Sequence, residues 1–190
     1  MFLGLLMGFP MVLLPTQILL VNLMTDGLPA VALGLEPPAA DIMRCPPRAA
    51  NAHFFSGGLL SRILFRGIFI ALSTLGSFTT VLRITGSLNA ARTGALVTLI
   101  GSQLLHVFEC KSEQGTLFSV PYFSNTKLIF SVLLSAAVTA AAVSLPAMQQ
   151  IFSTVMLPAP ALLTALGFSF AVPAAAAASA YKSRRQPERI

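Results

Sequence analysis

Between Thr16 and Leu35 the chain carries one ionisable side chain, Asp26, in an otherwise apolar run. About 20 predominantly apolar residues are what an α-helix needs to cross the hydrocarbon core of a bilayer. The backbone of such a run must satisfy its own hydrogen bonds, which a helix does. Four more segments of the same kind follow, and the spans are expected at 16–35, 54–82, 90–108, 127–145 and 159–180. Only 9% of the residues are charged, against about 25% in soluble domains, and mean hydropathy is +0.81. A soluble enzyme is excluded. The expected fold is all-α: a polytopic membrane bundle of five full transmembrane helices, with a half-helix at 1–9 before them. Those first residues would rise only about 14 Å as helix, half of a bilayer core. No basic residue precedes them, so a secretory signal is not indicated. They look like the end of a spanning helix whose first half is missing.

The stretch Leu20-Val-Asn22-Leu-Met-Thr25-Asp26-Gly27-Leu-Pro29-Ala is where chemistry concentrates. Carboxylates at membrane depth are rare unless they serve an ion or a proton. In an α-helix Asn22 lies one turn before Asp26, so the two share a face, and Thr25 adds a hydroxyl. Pro29 has no N–H, so the helical carbonyl four residues back, that of Thr25, loses its donor. Gly27 loosens the backbone further. Amide, hydroxyl, carboxylate and backbone oxygens together suit a hard cation such as Ca²⁺, and broken transmembrane helices commonly form ion sites. A neutral Asp bonded to a neighbouring helix, with Gly-x-Pro as a simple kink, accounts for the same residues.

The net charge of +6 is a topology signal rather than a nucleic-acid footprint. If the loop after the 16–35 segment is cytoplasmic, that side collects Arg44, Arg48, Arg62, Arg66, Lys111, Lys127, Lys182, Arg184, Arg185 and Arg189. The other side keeps Arg83 and Arg92. Positive charge favours the cytoplasm, which puts the C-terminus there and the Pro10–Pro15 turn outside. Arg62 and Arg66 are expected to snorkel from the first turns of their helix to the interface. Cys45 and Cys110 have no CxxC or disulfide pattern and are expected as free thiols. His53 and His106 make no metal-ligand spacing. Asn125 opens the 127–145 span and Pro146 closes it, while Glu109 to Gly115 is expected as a polar loop.

The run Pro15-Thr-Gln-Ile-Leu-Leu-Val-Asn22-Leu-Met-Thr25-Asp26-Gly27-Leu-Pro29-Ala, with Ala32-Leu-Gly34 and Glu36-Pro37-Pro38 after it, resembles the sixth transmembrane helix of P-type Ca²⁺-ATPases. Asp41-Ile-Met and Pro46-Pro47-Arg48 look like the cytoplasmic loop that follows it. Ser102-Gln-Leu-Leu-His-Val-Phe-Glu-Cys-Lys-Ser-Glu resembles the end of the eighth helix. The resemblance covers nearly the whole chain, from the end of the fifth helix (1–9) through the sixth (16–35), seventh (54–82), eighth (90–108), ninth (127–145) and tenth (159–180). It implies that Asn22, Thr25 and Asp26 match the family's calcium ligands, with Ca²⁺ as the transported ion. Gln103 stands where two-site calcium pumps place a Glu. That departure implies one ion per cycle, although Gln103 still has a neutral oxygen to offer. Cys45 stands where a charged residue is usual.

The family also needs a phosphorylated Asp in an Asp-Lys-Thr-Gly motif and a nucleotide domain, because phosphoryl transfer requires ATP and its metal to be positioned. Neither occurs in this sequence. The chain alone is therefore expected to have no ATP site and no ATPase activity. The expectation is a cation-pump membrane domain in a bacterial plasma membrane, with the lipid bilayer and the missing N-terminal half of the pump as partners and no nucleic acid. A truncated gene product and one half of a split pump both satisfy it. The alternative is a stand-alone membrane scaffold or passive cation-binding protein without ATP coupling.

Overall fold

A computed structural model describes residues 2–37, 43, 59–111, 122–171 and 173–175. Cys45, His53, the loop arginines Arg44 and Arg48, and the basic tail lie outside the described residues. Among those described, every regular element is helical. In chain order these are α1 (Phe2–Leu6), α2 (Pro15–Val21), a π-helical turn (Asn22–Gly27), α3 (Leu28–Leu33), α4 (Leu59–Thr85) and α5 (Leu88–Glu109). A 3-10 turn (Tyr122–Ser124), α6 (Thr126–Ser144), α7 (Pro146–Phe152) and α8 (Ala159–Ser169) follow.

Local chemistry sets most of the boundaries. Pro15 opens α2 at a position where a helix leaves an N–H unused, and the Gln17 side chain accepts from the Leu14 N–H at 3.1 Å. Between α4 and α5 lie only Gly86 and Ser87. Gly86 has φ +64°, a left-handed conformation that ends α4 at little steric cost. Ser87 then caps α5 by accepting from the Ala90 N–H. Asn125 caps α6 in the same way through the Leu128 N–H at 2.9 Å. Leu145 leaves helical geometry just before Pro146 (φ −88°, ψ 126°), as a residue preceding proline prefers.

Among the described residues, three helical stretches are long and apolar enough to cross a membrane: Pro15–Leu33, Leu59–Thr85 and Thr126–Ser144. At 27 residues, α4 is about 40 Å long, longer than a bilayer core of about 30 Å. Its first turns, carrying Arg62 and Arg66, thus have room to reach the interface. α5 is also long, at 22 residues, yet carries Asn89, Arg92, Thr93, Thr98, Ser102, Gln103 and His106. Its polarity follows from its place: Thr93, Ala95, Leu96, Thr98, Ile100 and Ser102 are all buried, so α5 meets helices more than lipid.

The bundle has two parts that share α5. In one, α4, α5 and α8 pack closely on one another. A Cβ on Gly94 would lie 2.8 Å from Val81 Cγ2, and one on Gly101 would lie 2.6 Å from Ser169 Oγ. Only glycine permits that approach, the usual device for close helix contact in membranes. Buried hydroxyls line the same seam: Thr98 Oγ1 lies 2.7 Å from Ser77 Oγ and 3.0 Å from the Ala165 carbonyl. In the other part, the α2–π-turn–α3 span lies against α6 and one side of α5. Leu20, Val21 and Met24 join Leu96, Ile100, Leu104 and Ala142 in one apolar core.

Candidate cation site

The central stretch of the Pro15–Leu33 span is not α-helical. Asn22–Gly27 winds as a π-helix, so its hydrogen bonds run from residue i to i+5 rather than i+4. Gly27 sits at the return to α3 with φ −75° and ψ −83°. The α-helical spacing that would put Asn22 and Asp26 on one face is thereby replaced, and the donorless carbonyl also changes. In an α register Pro29 would orphan the Thr25 carbonyl. In the π register the carbonyl opposite Pro29 belongs to Met24. The Met24 carbonyl is instead taken by Ser135 of α6, whose buried hydroxyl donates to it at 2.7 Å.

The expected site residues fall on or beside this turn. Asn22 begins it and is exposed, so the described helices do not cover its amide. Thr25 is half-buried, and its hydroxyl donates to the Val21 carbonyl at 2.8 Å. Asp26 belongs to the same turn by its backbone. Gln103 is half-buried on α5, a helix that packs against the turn. Its Oε1 is buried with no hydrogen-bond partner among the described residues, which leaves an oxygen lone pair inside the bundle. No group of three or more His, Cys, Asp or Glu side chains suited to a metal occurs among the described residues. A hard cation here would rely on mixed amide, hydroxyl, carboxylate and carbonyl oxygens, the donor set that suits Ca²⁺.

Polar clusters close one end of the bundle. Glu36, just past α3, accepts from Ser124 at 2.9 Å and from Asn125 Nδ2 at 2.9 Å, and pairs with Lys111 Nζ at 3.3 Å. Asn125 Nδ2 also reaches the Ala32 carbonyl at 2.9 Å, tying α3 to the start of α6. Partial desolvation alone would raise the Glu36 pKa, but the bonds from Asn125, Ser124 and Lys111 outweigh it and hold the carboxyl below its usual 4.5. Glu109 corrects the expected loop: it is the last residue of α5 and fully buried. Its Oε2 meets Arg66 Nη2 at 3.4 Å and His106 Nδ1 at 3.1 Å. Arg66 thus reaches a carboxylate on the next helix rather than serving only as an interfacial anchor. His106 Nε2 lies 3.6 Å from the exposed Cys110 Sγ, and Cys110 is a free thiol as expected.

At the other end Arg92 Nε donates to the Met11 carbonyl at 2.9 Å, and Gln17 Nε2 donates to the Ser153 carbonyl at 3.3 Å. The residues that sequence reasoning missed are chiefly hydroxyls. Ser131, Ser135 and Thr139 recur every fourth position on α6 and are all buried. That spacing marks one helix face and was the available signal for a polar inner stripe.

The sequence is similar to those of known proteins. Residues 10–181 match the family described as cation transporting ATPase, C-terminus. A calcium-transporting ATPase of Bacillus subtilis (strain 168) is 37% identical over 187 residues, which are 98% of this chain and 21% of that protein. Calcium-transporting ATPase 1 of Bacillus cereus is 36% identical over 80% of this chain and 19% of its own length. A calcium-transporting ATPase of Listeria monocytogenes is 35% identical over 72% of this chain and 15% of its own length. The chain spans about a fifth of the length of the first of these relatives.

Proposed function

The chain belongs to the family of cation-transporting ATPase C-terminal domains, and from that premise we propose that it is the membrane domain of a pump for Ca²⁺ or a similar divalent cation. The observation that carries this reading is the π-helical turn Asn22–Gly27 inside a membrane-spanning stretch. π-turns of this kind occur often at functional sites, and here one coincides with the chain's polar intramembrane residues. Asn22 would supply an amide oxygen, Thr25 a hydroxyl and Asp26 the single carboxylate. The unpartnered Gln103 Oε1 supports a neutral fourth contributor from α5. The exposure of Asn22 leaves space for ligands from other helices, which a coordination shell of six to eight oxygens requires.

Energy for transport would come from an ATP-hydrolysing portion bearing the phosphorylated aspartate, working with this chain. The α4–α5–α8 unit would act as a fixed wall against which the sixth-helix element is set. The bacterial relatives support a bacterial plasma-membrane location, and the separation of Arg66, Lys111 and Lys127 from Arg83 and Arg92 supports a cytoplasmic C-terminus.

The decisive experiment is Asp26→Asn in vesicles that combine this chain with the ATP-hydrolysing portion. Ca²⁺-stimulated uptake should fall to background. Uptake at the wild-type level would remove Asp26 from the site. Calcium binding by the chain alone should be weaker than micromolar, because one carboxylate with neutral oxygens leaves much of the shell unfilled.

A further inference from the structure

Two backbone registers compete at the candidate site, and they differ in which carbonyl Pro29 leaves without a donor. In an α-helix it is the Thr25 carbonyl, four residues before the proline. In the π-turn it is the Met24 carbonyl, five residues before it. A bare carbonyl inside a bilayer is unfavourable in either case, because no water is there to bond it. A donor placed opposite one of the two therefore decides the register. Ser135 is that donor: it is fully buried on α6, and its hydroxyl lies 2.7 Å from the Met24 oxygen.

We propose that Ser135 is a positioning residue for the cation site: its hydroxyl replaces the N–H that Pro29 lacks, selects the π register of Asn22–Gly27, and withdraws the Met24 carbonyl from the ion. The hydroxyl has no part in binding the cation itself. A second tie supports the assignment, because Asn125 Nδ2 holds the Ala32 carbonyl at 2.9 Å two turns further along. The two bonds fix the span to α6 on either side of Pro29. The turn's winding, which sets how Asn22, Thr25 and Asp26 are presented, is thus decided by a neighbouring helix. The functional half of this proposal rests on the cation-site reading above.

The test uses the whole chain in lipid nanodiscs with ¹³C-labelled carbonyls at Met24 and Thr25, comparing the wild type with Ser135→Ala, Ser135→Thr and Asp26→Asn. In Ser135→Ala the Met24 carbonyl resonance should move upfield as its hydrogen bond is lost, and the Thr25 resonance should move with the change of register. Ser135→Thr keeps a hydroxyl and should restore both. Unmoved resonances in Ser135→Ala would overturn the proposal. Calcium titration of the same samples, followed at the Asn22 and Thr25 amides, should show Ser135→Ala about tenfold weaker and Ser135→Thr near wild type. Tenfold corresponds to about 1.4 kcal/mol, in the range for a buried acceptor left unsatisfied. If Asp26→Asn weakens binding and Ser135→Ala does not, the positioning role is wrong. If neither alters binding, the cation-site reading fails, and the carbonyl resonances still decide the register role by themselves.

Discussion

The two parts of the bundle are held together by different means. In α4–α5–α8 the helices are continuous, glycines bring backbones into contact, and hydroxyls bond across the seam. Every turn contributes a little, and no single residue decides the backbone's course. The α2–π-turn–α3 span is instead interrupted at its centre and held to α6 by a few discrete bonds, from Ser135 to the Met24 carbonyl and from Asn125 to Ala32 and Glu36. Distributed close packing makes a rigid wall, because packed interiors yield little. Local point attachments around a proline make an element that can exchange one hydrogen-bond pattern for another. The proposed cation site would use both: ligands that can rearrange and a surface that stays put while they do.

The largest effect is expected from the charge pair inside the wall. Arg66→Met leaves the fully buried Glu109 with His106 as its remaining partner. Removing one member of a buried pair costs about 3–5 kcal/mol. Thermal unfolding in detergent should show that loss, while amide exchange at residues 22–27 stays as in the wild type. Equal disturbance of both regions would mean that the two parts behave as one unit. Gly94→Ala comes next. Its new methyl would meet Val81 Cγ2 at 2.8 Å, a β-branched side chain with little freedom in a helix, and overpacking of this kind costs about 1–3 kcal/mol. The same unfolding assay checks it, and a cost below that range would show that the seam can give.

The smallest effect concerns Glu36 at the end of the point-attached span. Its carboxyl titrates below the unfolded value of 4.5, so the folded state favours the ionised form. Its contribution to stability is complete above about pH 4.5 and is lost as pH falls through the lower, folded value. The group is partly exposed, so the contribution is at most about 1 kcal/mol. Acid unfolding curves of the wild type and Glu36→Gln should converge below that window and separate above it. Parallel curves throughout would show that the Glu36 bonds do not bear on stability.

Much of this was legible from residues. The all-helical character followed from hydropathy, and Asn125 was read as opening its helix, where its side chain caps the first turn. Asn22, Thr25, Asp26 and Pro29 stood out because polar groups and a donorless residue are costly in lipid. Glu109 was less legible: beside Cys110, Lys111 and Glu113 it looks like part of a solvated loop. Its burial depends on Arg66, more than forty positions earlier in the chain, and no local pattern reports that pairing.

The sequence alone determined that the chain forms apolar helices and that the backbone must be irregular before Pro29. Each of those is a local consequence of side-chain polarity or a missing N–H. Only the tertiary structure decided which irregularity results. In either register Pro29 supplies no N–H, and the carbonyl opposite it in the π register, that of Met24, is met by the hydroxyl of Ser135, more than a hundred residues away.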